Sequence, residues 1–136
     1  MANERIQALA PDLTLAAPRS ARAALGPYRA IAARAVDKCR AELAGHAGSY
    51  HYNCSLDRGF FEFTGIDAAE LKQFVGTGAS DDEIVDWMAK KSRVRDPRRV
   101  ARWGQWVRLN PLNWLLDLDD WLHVRKNAKS ARTGRS

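Results

Sequence analysis

The sequence predicts an all-α protein: a compact single domain of five or six short-to-medium helices, followed by a disordered basic C-terminal tail. Two observations predict this class. Apolar residues recur at steps of three and four along several segments, which is the period of one face of an α-helix. Glycines and helix-capping residues separate these segments at short spacing, and no stretch shows the alternating Val-, Ile- and Thr-rich pattern of a β-strand.

The longest predicted helix follows Gly26-Pro27 and ends at Gly45. Proline is favoured at the first helical position because the N–H that it lacks would have no partner there. The apolar face of this helix contains Tyr28, Ile31, Ala32, Ala35, Val36, Cys39 and Leu43. The charged residues Arg29, Arg34, Asp37, Lys38 and Glu42 fall largely off that face. Cys39, which lies on the face, is expected to behave as a small hydrophobic residue.

Shorter helices are predicted from caps and apolar spacing in the second half of the chain. Their expected bounds are Leu56 to Phe63, Ala68 to Val75, Asp81 to Lys91, Pro97 to Leu109, and a last helix from Asn110-Pro111 to about Val124. Ser55, Asp67 and Ser80 are the expected N-caps of the first three, because their side chains accept hydrogen bonds from the first turn.

The expected domain organisation is a flexible arm over residues 1–11, an all-α domain over 12–124 and the basic tail over 125–136. Pro11, Pro18 and the lack of a helical period predict an extended conformation over residues 1–19. No run reaches the roughly 18 apolar residues of a membrane span, and no signal-peptide core is evident. Two cysteines do not form a disulfide framework, so a cytoplasmic protein without a membrane partner is expected.

The net charge of +6 is concentrated in two patches. Residues 125–136 contain five bases and no acid, and residues 90–102 contain seven bases and one acid. The remainder of the chain is therefore mildly acidic, which distinguishes this protein from a uniformly basic one.

The segment from Tyr50 to Asp57 is the first candidate site, because it concentrates ring, thiol, imidazole and carboxylate groups. Its candidate ligand-binding residues are Tyr50, His51, Tyr52, Cys54 and Asp57, together with Asp117 and Asp120 of the last helix. The leading hypothesis is a non-enzymatic ligand- or protein-binding domain with its site where this segment meets the last helix. His51 and Asp57 would supply the polar contacts, and the two tyrosines the walls.

Asp117 and Asp120 lie on one helix face near the C-terminal end, where like charges and the helix dipole are both unfavourable. A compensating cation is therefore expected. The simplest candidate is an arginine from Arg93 to Arg102, or Arg125 on the next turn. A divalent metal, or a pairing of these acids with His123, is the alternative.

The second candidate site is the stretch from Lys90 to Arg108, in which bases alternate with tryptophans. Such a pattern suits nucleic acid, because cations bind phosphates and exposed rings stack on bases. Trp103 fits the inward face of its helix, which leaves Trp106 as the available ring. The residues of this alternative are Arg95, Arg98, Arg99, Arg102 and Trp106, supplemented by the basic tail.

A third interpretation is a metal-assisted enzyme that uses the region of His46, His51, Cys54 and Asp57. The spacing matches no standard zinc template, and no nucleophile elbow, P-loop or dinucleotide turn is present. The sequence therefore leaves open whether a reaction is catalysed. It implies no cofactor and identifies no particular partner.

An ordered set of short motifs resembles a known family. They are Asp12-Leu13-Thr14, Pro18-Arg19-Ser20, Asp37-Lys38-Cys39-Arg40-Ala41, Leu43-Ala44-Gly45, Tyr50-His51-Tyr52-Asn53-Cys54-Ser55-Leu56-Asp57, Phe63-Thr64-Gly65-Ile66-Asp67 and Leu115-Leu116-Asp117-Leu118-Asp119-Asp120. From about Asp12 to His123 the chain is similar to the bacterial family called domain of unknown function 5069. The resemblance implies a small bacterial protein and places both the Tyr50–Asp57 segment and the last aspartates in the family pattern. It implies no activity.

Overall fold

The all-α prediction is confirmed in a computed structural model that describes residues 2–110, 120–122 and 125. Six helices lie between residues 2 and 110: α1 (Ala2–Leu9), α2 (Ala32–Ala44), α3 (Ser55–Thr64), α4 (Ala68–Val75), α5 (Asp81–Lys91) and α6 (Pro97–Leu109). Residues 120–122 and 125 are also helical. Among the described residues, no helix has the length and apolarity needed to cross a bilayer.

Helix α2 lies at the centre of the fold. Every residue from 31 to 41 is buried, and α1, α3 and α4 all contact this helix. The surrounding core includes Phe60 of α3, Leu71 of α4, and Ile84 and Met88 of α5. Because α2 is covered on all sides, its charged residues cannot all remain in water.

The start of α2 differs from the prediction. Gly26-Pro27 does not open the helix, because Leu25 and Tyr28 exchange backbone hydrogen bonds of 2.8 and 3.0 Å that close a tight turn there. Gly26 has a φ of +57°, which glycine adopts without a steric penalty. The helix begins only at Ala32, after Ile31 with a φ of 70°. Tyr28 is nevertheless buried, as its apolar spacing predicted.

The N-terminal segment is helical, so the predicted extended conformation was wrong for residues 2–9. Ile6 of α1 is buried, and Gln7 donates a hydrogen bond of 3.2 Å to the carbonyl of Ala44 at the end of α2. One buried apolar residue in two helical turns is too weak a pattern to reveal a helix from the sequence. The proposed arm and domain boundaries at residues 11 and 124 stay predictions.

The helices α4, α5 and α6 have the predicted bounds, because their caps form as expected. Asp67 accepts backbone hydrogen bonds of 2.8 and 3.0 Å at the start of α4. Ser80 and Glu83 form a reciprocal capping box at the start of α5. Helix α3 begins one residue early, since Cys54, not Ser55, is its N-cap.

The last predicted helix falls mostly outside the described residues. Pro111, Asp117 and the tail beyond Arg125 lie outside the described residues. Asn110, where the helix was expected to start, is the last described residue before the gap. The four helical positions at 120–122 and 125 agree with the predicted helix type there.

Two helical glycines provide a test of how tightly the helices pack. A Cβ atom added at Gly104 of α6 would lie 2.9 Å from the Arg29 Cβ atom, closer than two carbons tolerate. A Cβ added at Gly59 of α3 would meet no atom within 4 Å. We expect Gly104→Ala to destabilise the protein by about 1–3 kcal/mol through overpacking. Gly59→Ala should stabilise it by about 0.5–1 kcal/mol, because alanine favours the helix.

Urea denaturation of both variants measures these free energies of unfolding. The two substitutions are chemically identical, so opposite signs isolate the packing effect. Stabilisation by Gly104→Ala would contradict the close approach of α6 to Arg29.

Candidate functional site

Helix α2 buries four charged side chains, and each one pairs with an opposite charge from another part of the chain. The pairs are Arg34 with Asp120, Asp37 with Arg19, Lys38 with Asp57, and Arg40 with Asp81. Buried charges are strongly unfavourable unless they are paired and hydrogen-bonded. These contacts therefore explain how a charged helix can occupy the centre of the fold.

Arg19 and Arg40 converge on the same carboxylate at the start of α5. Asp81 accepts hydrogen bonds of 2.9 Å from Arg19 and 2.7 Å from Arg40. Arg19 also contacts Asp37 of α2 at 2.9 Å. Burial alone would raise the pKa of Asp81, but the two guanidinium groups outweigh it and lower this pKa below its ordinary value.

The Tyr50–Asp57 segment meets the last helix at Asp120. Arg34 donates two hydrogen bonds, of 2.8 and 2.5 Å, to the Asp120 carboxylate. The Tyr50 hydroxyl donates to the same carboxylate at 3.1 Å, and the Arg34 guanidinium lies 5.7 Å from the centre of the Tyr50 ring. An arginine does neutralise this aspartate. It comes from α2, however, so the predicted source in Arg93–Arg102 or Arg125 was wrong.

Arg125 has a different contact. Its guanidinium lies 5.2 Å from the centre of the Trp121 ring, which is a cation–π arrangement one helical turn apart.

A second cluster forms where α2 meets the N-terminus of α3. The Lys38 ammonium lies 2.8 Å from Asp57 Oδ2 and 3.2 Å from the Cys54 sulfur. The same carboxylate oxygen accepts a backbone hydrogen bond of 2.9 Å from Asn53, which has a positive φ of 63°. Lys38 and Asp57 are almost fully buried, whereas Cys54 is partly exposed.

The remaining residues of the segment point elsewhere. The Tyr52 hydroxyl donates a hydrogen bond of 2.7 Å to the carbonyl of Ala68, and its burial raises the pKa of that phenol. His51 is exposed. The structure thus brings Tyr50 to Asp120 and Cys54 to Asp57, but it does not gather all the predicted binding residues around one pocket. Asp117 lies outside the described residues.

A shallow depression of about 720 Å³ lies beside this segment, between α3 and the start of α4. Its lining includes Arg58, Glu62, Asp67 and Arg93, and it reaches the candidate segment only at Asn53. Its mixed charges and open shape do not select a ligand class.

The predicted metal site gains no support from the geometry. Within the described ranges, no group of three or more His, Cys, Asp or Glu side chains is placed to share a metal ion. His46 lies 3.2 Å from the amide oxygen of Gln7 in α1, away from the exposed ring of His51. Cys39 is fully buried, and desolvation raises its pKa to about 12, as suits a small hydrophobic residue.

Three residues of the second predicted site, Arg99, Arg102 and Trp106, line one groove on α6. A groove of about 300 Å³ is lined by Phe63, Arg99, Arg102, Trp103 and Trp106. Trp103 stacks on Phe63, with ring centres 4.9 Å apart and planes inclined by 8°. Trp106 is 65% exposed, which agrees with its predicted role as the available ring. This set is called the α6 groove below.

The arginines of the α6 groove differ from those of α2 in their electrostatic environment. Arg99 and Arg102 are exposed, and within residues 2–110, 120–122 and 125 neither side chain is seen in an ion pair or hydrogen bond. Arg98 is exposed nearby on the same helix. Arg95 is partly engaged, because it donates to the carbonyl of Lys90 at 3.4 Å.

The fold and these contacts define a small all-α domain built around a charged central helix. The family model described as Domain of unknown function (DUF5069) matches residues 15–133. The chain belongs to this family, which confirms the resemblance. A search of curated proteins found no match.

The sequence did not reveal the partners of the central helix. Arg34 and Lys38 were expected off the apolar face, and Arg40 was not singled out. Asp57 was predicted as a polar contact for a ligand, not as the partner of a buried lysine. Their pairing depends on contacts across 19 to 86 positions, as for Lys38–Asp57 and Arg34–Asp120. The sequence signal for these pairs is that the predicted helix carries both acidic and basic residues among small apolar ones.

The buried Lys38–Asp57 pair supplies the first stability prediction for the site. Lys38→Met would leave the Asp57 carboxylate buried without its cation, so we expect a loss of about 3–5 kcal/mol. Lys72→Met removes the same group from the more exposed pair with Glu42 and should cost only about 0–1 kcal/mol. Chemical denaturation of the two variants checks this difference.

The double variant Lys38→Met/Asp57→Leu removes both charges and should recover much of the loss. Equal, small effects of the two lysine substitutions would show that Lys38 is not paired in the interior.

The Asp81 contacts predict a dependence of stability on acid pH. The pKa of Asp81 is lowered in the folded protein from an ordinary value of 3.8. The unfolded state therefore binds its proton first, and the stabilisation is present above pH 3.8 and lost as the pH falls through the lower folded pKa. Asp81→Asn should reduce stability at pH 7 and weaken its decline on acidification.

Thermal melts of the wild type and the variant between pH 7 and pH 2 measure this effect. The matched control is Asp82→Asn, since Asp82 is the exposed neighbour on the same helix turn. Identical pH profiles of wild type and Asp81→Asn would contradict the proposed linkage.

Proposed function

We propose that this protein is a binding domain for single-stranded nucleic acid and that the α6 groove is its binding surface. The observation that carries the proposal is the meeting of two exposed arginines with an exposed tryptophan in one groove. Neither arginine side chain has an ion pair or hydrogen bond within the part of the chain that the structure describes. Arginine binds phosphate and tryptophan stacks on a base, so the groove offers a contact for each half of a nucleotide.

The electrostatic contrast within the protein supports this surface. The cations of α2 are neutralised inside the protein by Asp120, Asp57 and Asp81. Those of α6 face solvent, and Asp96, the acid of this stretch, is occupied by capping the helix through Arg98 N–H. A phosphate backbone would encounter positive charge here without an opposing carboxylate in the groove lining.

The Trp103 ring of the α6 groove is held in place by two phenylalanine rings. Trp103 is fixed by stacking on Phe63 and lies 5.9 Å from the buried ring of Phe60. It therefore forms a rigid floor beside Trp106. Because the Trp103 ring is already ordered, less binding energy is spent on ordering the protein when a base binds in the groove.

The leading hypothesis from the sequence, a ligand at the Tyr50–Asp57 segment, has less geometric support. Tyr50 and Asp57 are buried and engaged with Asp120 and Lys38, so they have little capacity to contact a ligand. We retain the non-enzymatic binding class of that hypothesis and assign the site to α6.

The test is a titration of the protein with fluorescently labelled single-stranded DNA and RNA oligonucleotides at several salt concentrations. Trp106→Ala should weaken binding by about 1–3 kcal/mol, because one stacked base is lost. Arg99→Ala/Arg102→Ala should weaken binding and reduce the slope of log affinity against log salt by about 1.4, since two phosphate contacts disappear.

The control is Arg5→Ala/Arg22→Ala, which removes the same charge from exposed positions outside α6. It should leave the salt slope unchanged. Absence of binding at low salt, or equal weakening by the control, would contradict a specific α6 site.

A further inference from the structure

The cluster of Lys38, Cys54 and Asp57 places the thiol of a partly exposed residue beside a buried cation. Cys54 is partly exposed, whereas the Lys38 side chain is only 3% exposed and its ammonium lies 3.2 Å from the sulfur. The sulfur also lies at the N-terminus of α3, where it takes part in a capping box with Asp57. A lysine ammonium and a helix N-terminus both stabilise negative charge on sulfur.

The carboxylate of Asp57 supplies an independent observation. Its Oδ2 atom accepts contacts from Lys38, Asn53 and Cys54. Its Oδ1 atom is fully buried and has no hydrogen-bond partner among the described residues. A buried acceptor without a donor is unfavourable, so the Asp57 carboxylate can accept one more hydrogen bond at Oδ1.

We propose that Cys54 is a site of oxidation by hydroperoxides to a sulfenic acid, and that this sulfenic acid donates its hydroxyl hydrogen to Asp57 Oδ1. The sulfur attacks one peroxide oxygen, so that an S–O bond forms and the O–O bond breaks. Sulfur loses two electrons and the peroxide gains them. The departing group is hydroxide, or an alkoxide when the oxidant is an organic hydroperoxide. It takes up the proton that the thiol gives up, and it leaves as water or as the alcohol.

Lys38 acts in this proposal as a positioning residue. Its ammonium, 3.2 Å from the reacting sulfur, holds that sulfur in place and puts a positive charge beside it. Asp57 opposes this effect with its own negative charge, but two backbone N–H groups share that carboxylate with Lys38. The buried Lys38 ammonium is thus held in contact with both the Asp57 carboxylate and the Cys54 sulfur.

The second cysteine provides an internal comparison. Cys39 is fully buried in α2 and belongs to the apolar core. No cation contacts its sulfur among the described residues, and the residue has no exposed surface. The same chain therefore carries one thiol that should react in the native fold and one that should not.

The experiment measures peroxide oxidation of each cysteine in the full chain. The protein is treated with hydrogen peroxide in the presence of a 1,3-diketone that traps sulfenic acid, and the modified peptides are quantified by mass spectrometry. In the native protein, Cys54 should react roughly tenfold faster than in urea-unfolded protein, because the Lys38 ammonium is held 3.2 Å from the sulfur only in the folded chain. Cys39 should be protected in the native protein and reactive only after unfolding.

Variants of Lys38 test the positioning role. Lys38→Arg keeps the positive charge and should retain most of the native rate for Cys54, whereas Lys38→Met should lose the enhancement. The pH profile of the rate is the readout that a purely structural role would not move. Each variant is examined below its unfolding transition, confirmed by circular dichroism.

The proposal is overturned if Cys54 reacts no faster in the native than in the unfolded chain. It is also overturned if folded Lys38→Met keeps the wild-type rate and pH profile. Because the wild-type comparison needs no substitution, instability of Lys38→Met leaves the first criterion intact.

Discussion

Charge pairing along α2 is the interaction on which the fold depends. The helix is buried from residue 31 to residue 41, and its four charged side chains are each matched by a group from a different part of the chain. The segment before α2, the start of α3, the start of α5 and the final helix all contribute one partner. Burial alone would make these charges costly, so the geometry of the outer elements is tied to the positions of the inner charges.

This arrangement divides the basic residues of the protein into two groups with different chemistry. Those on α2 are internal and neutralised, and they specify where other elements dock. Those on α6 are external, and Arg99 and Arg102 lie beside two tryptophans in a groove. The overall net charge of +6 is therefore a poor guide to function. The positions of the unengaged cations are more informative than their number.

The elements recoverable from the sequence were those determined by local contacts. The bounds of α4, α5 and α6 follow from caps such as Asp67 and Ser80, whose hydrogen bonds span two or three residues. The α6 surface was also recoverable, because Arg102 and Trp106 share a face by helical spacing alone. The start of α2 was not, since the Leu25–Tyr28 turn competes with helix formation. The Lys38–Cys54–Asp57 cluster required a tertiary contact that no spacing encodes.

The pairing of Arg34 with Asp120 has a consequence for how the protein is made. These residues are 86 positions apart in the sequence, and Arg40 and Asp81 are 41 positions apart. During translation α2 is therefore synthesised well before the carboxylates whose pairing allows this helix to be buried. Until then the guanidinium groups keep their hydration, which opposes the burial of α2. The domain is thus expected to complete its folding only after Asp120 has left the exit tunnel of the ribosome.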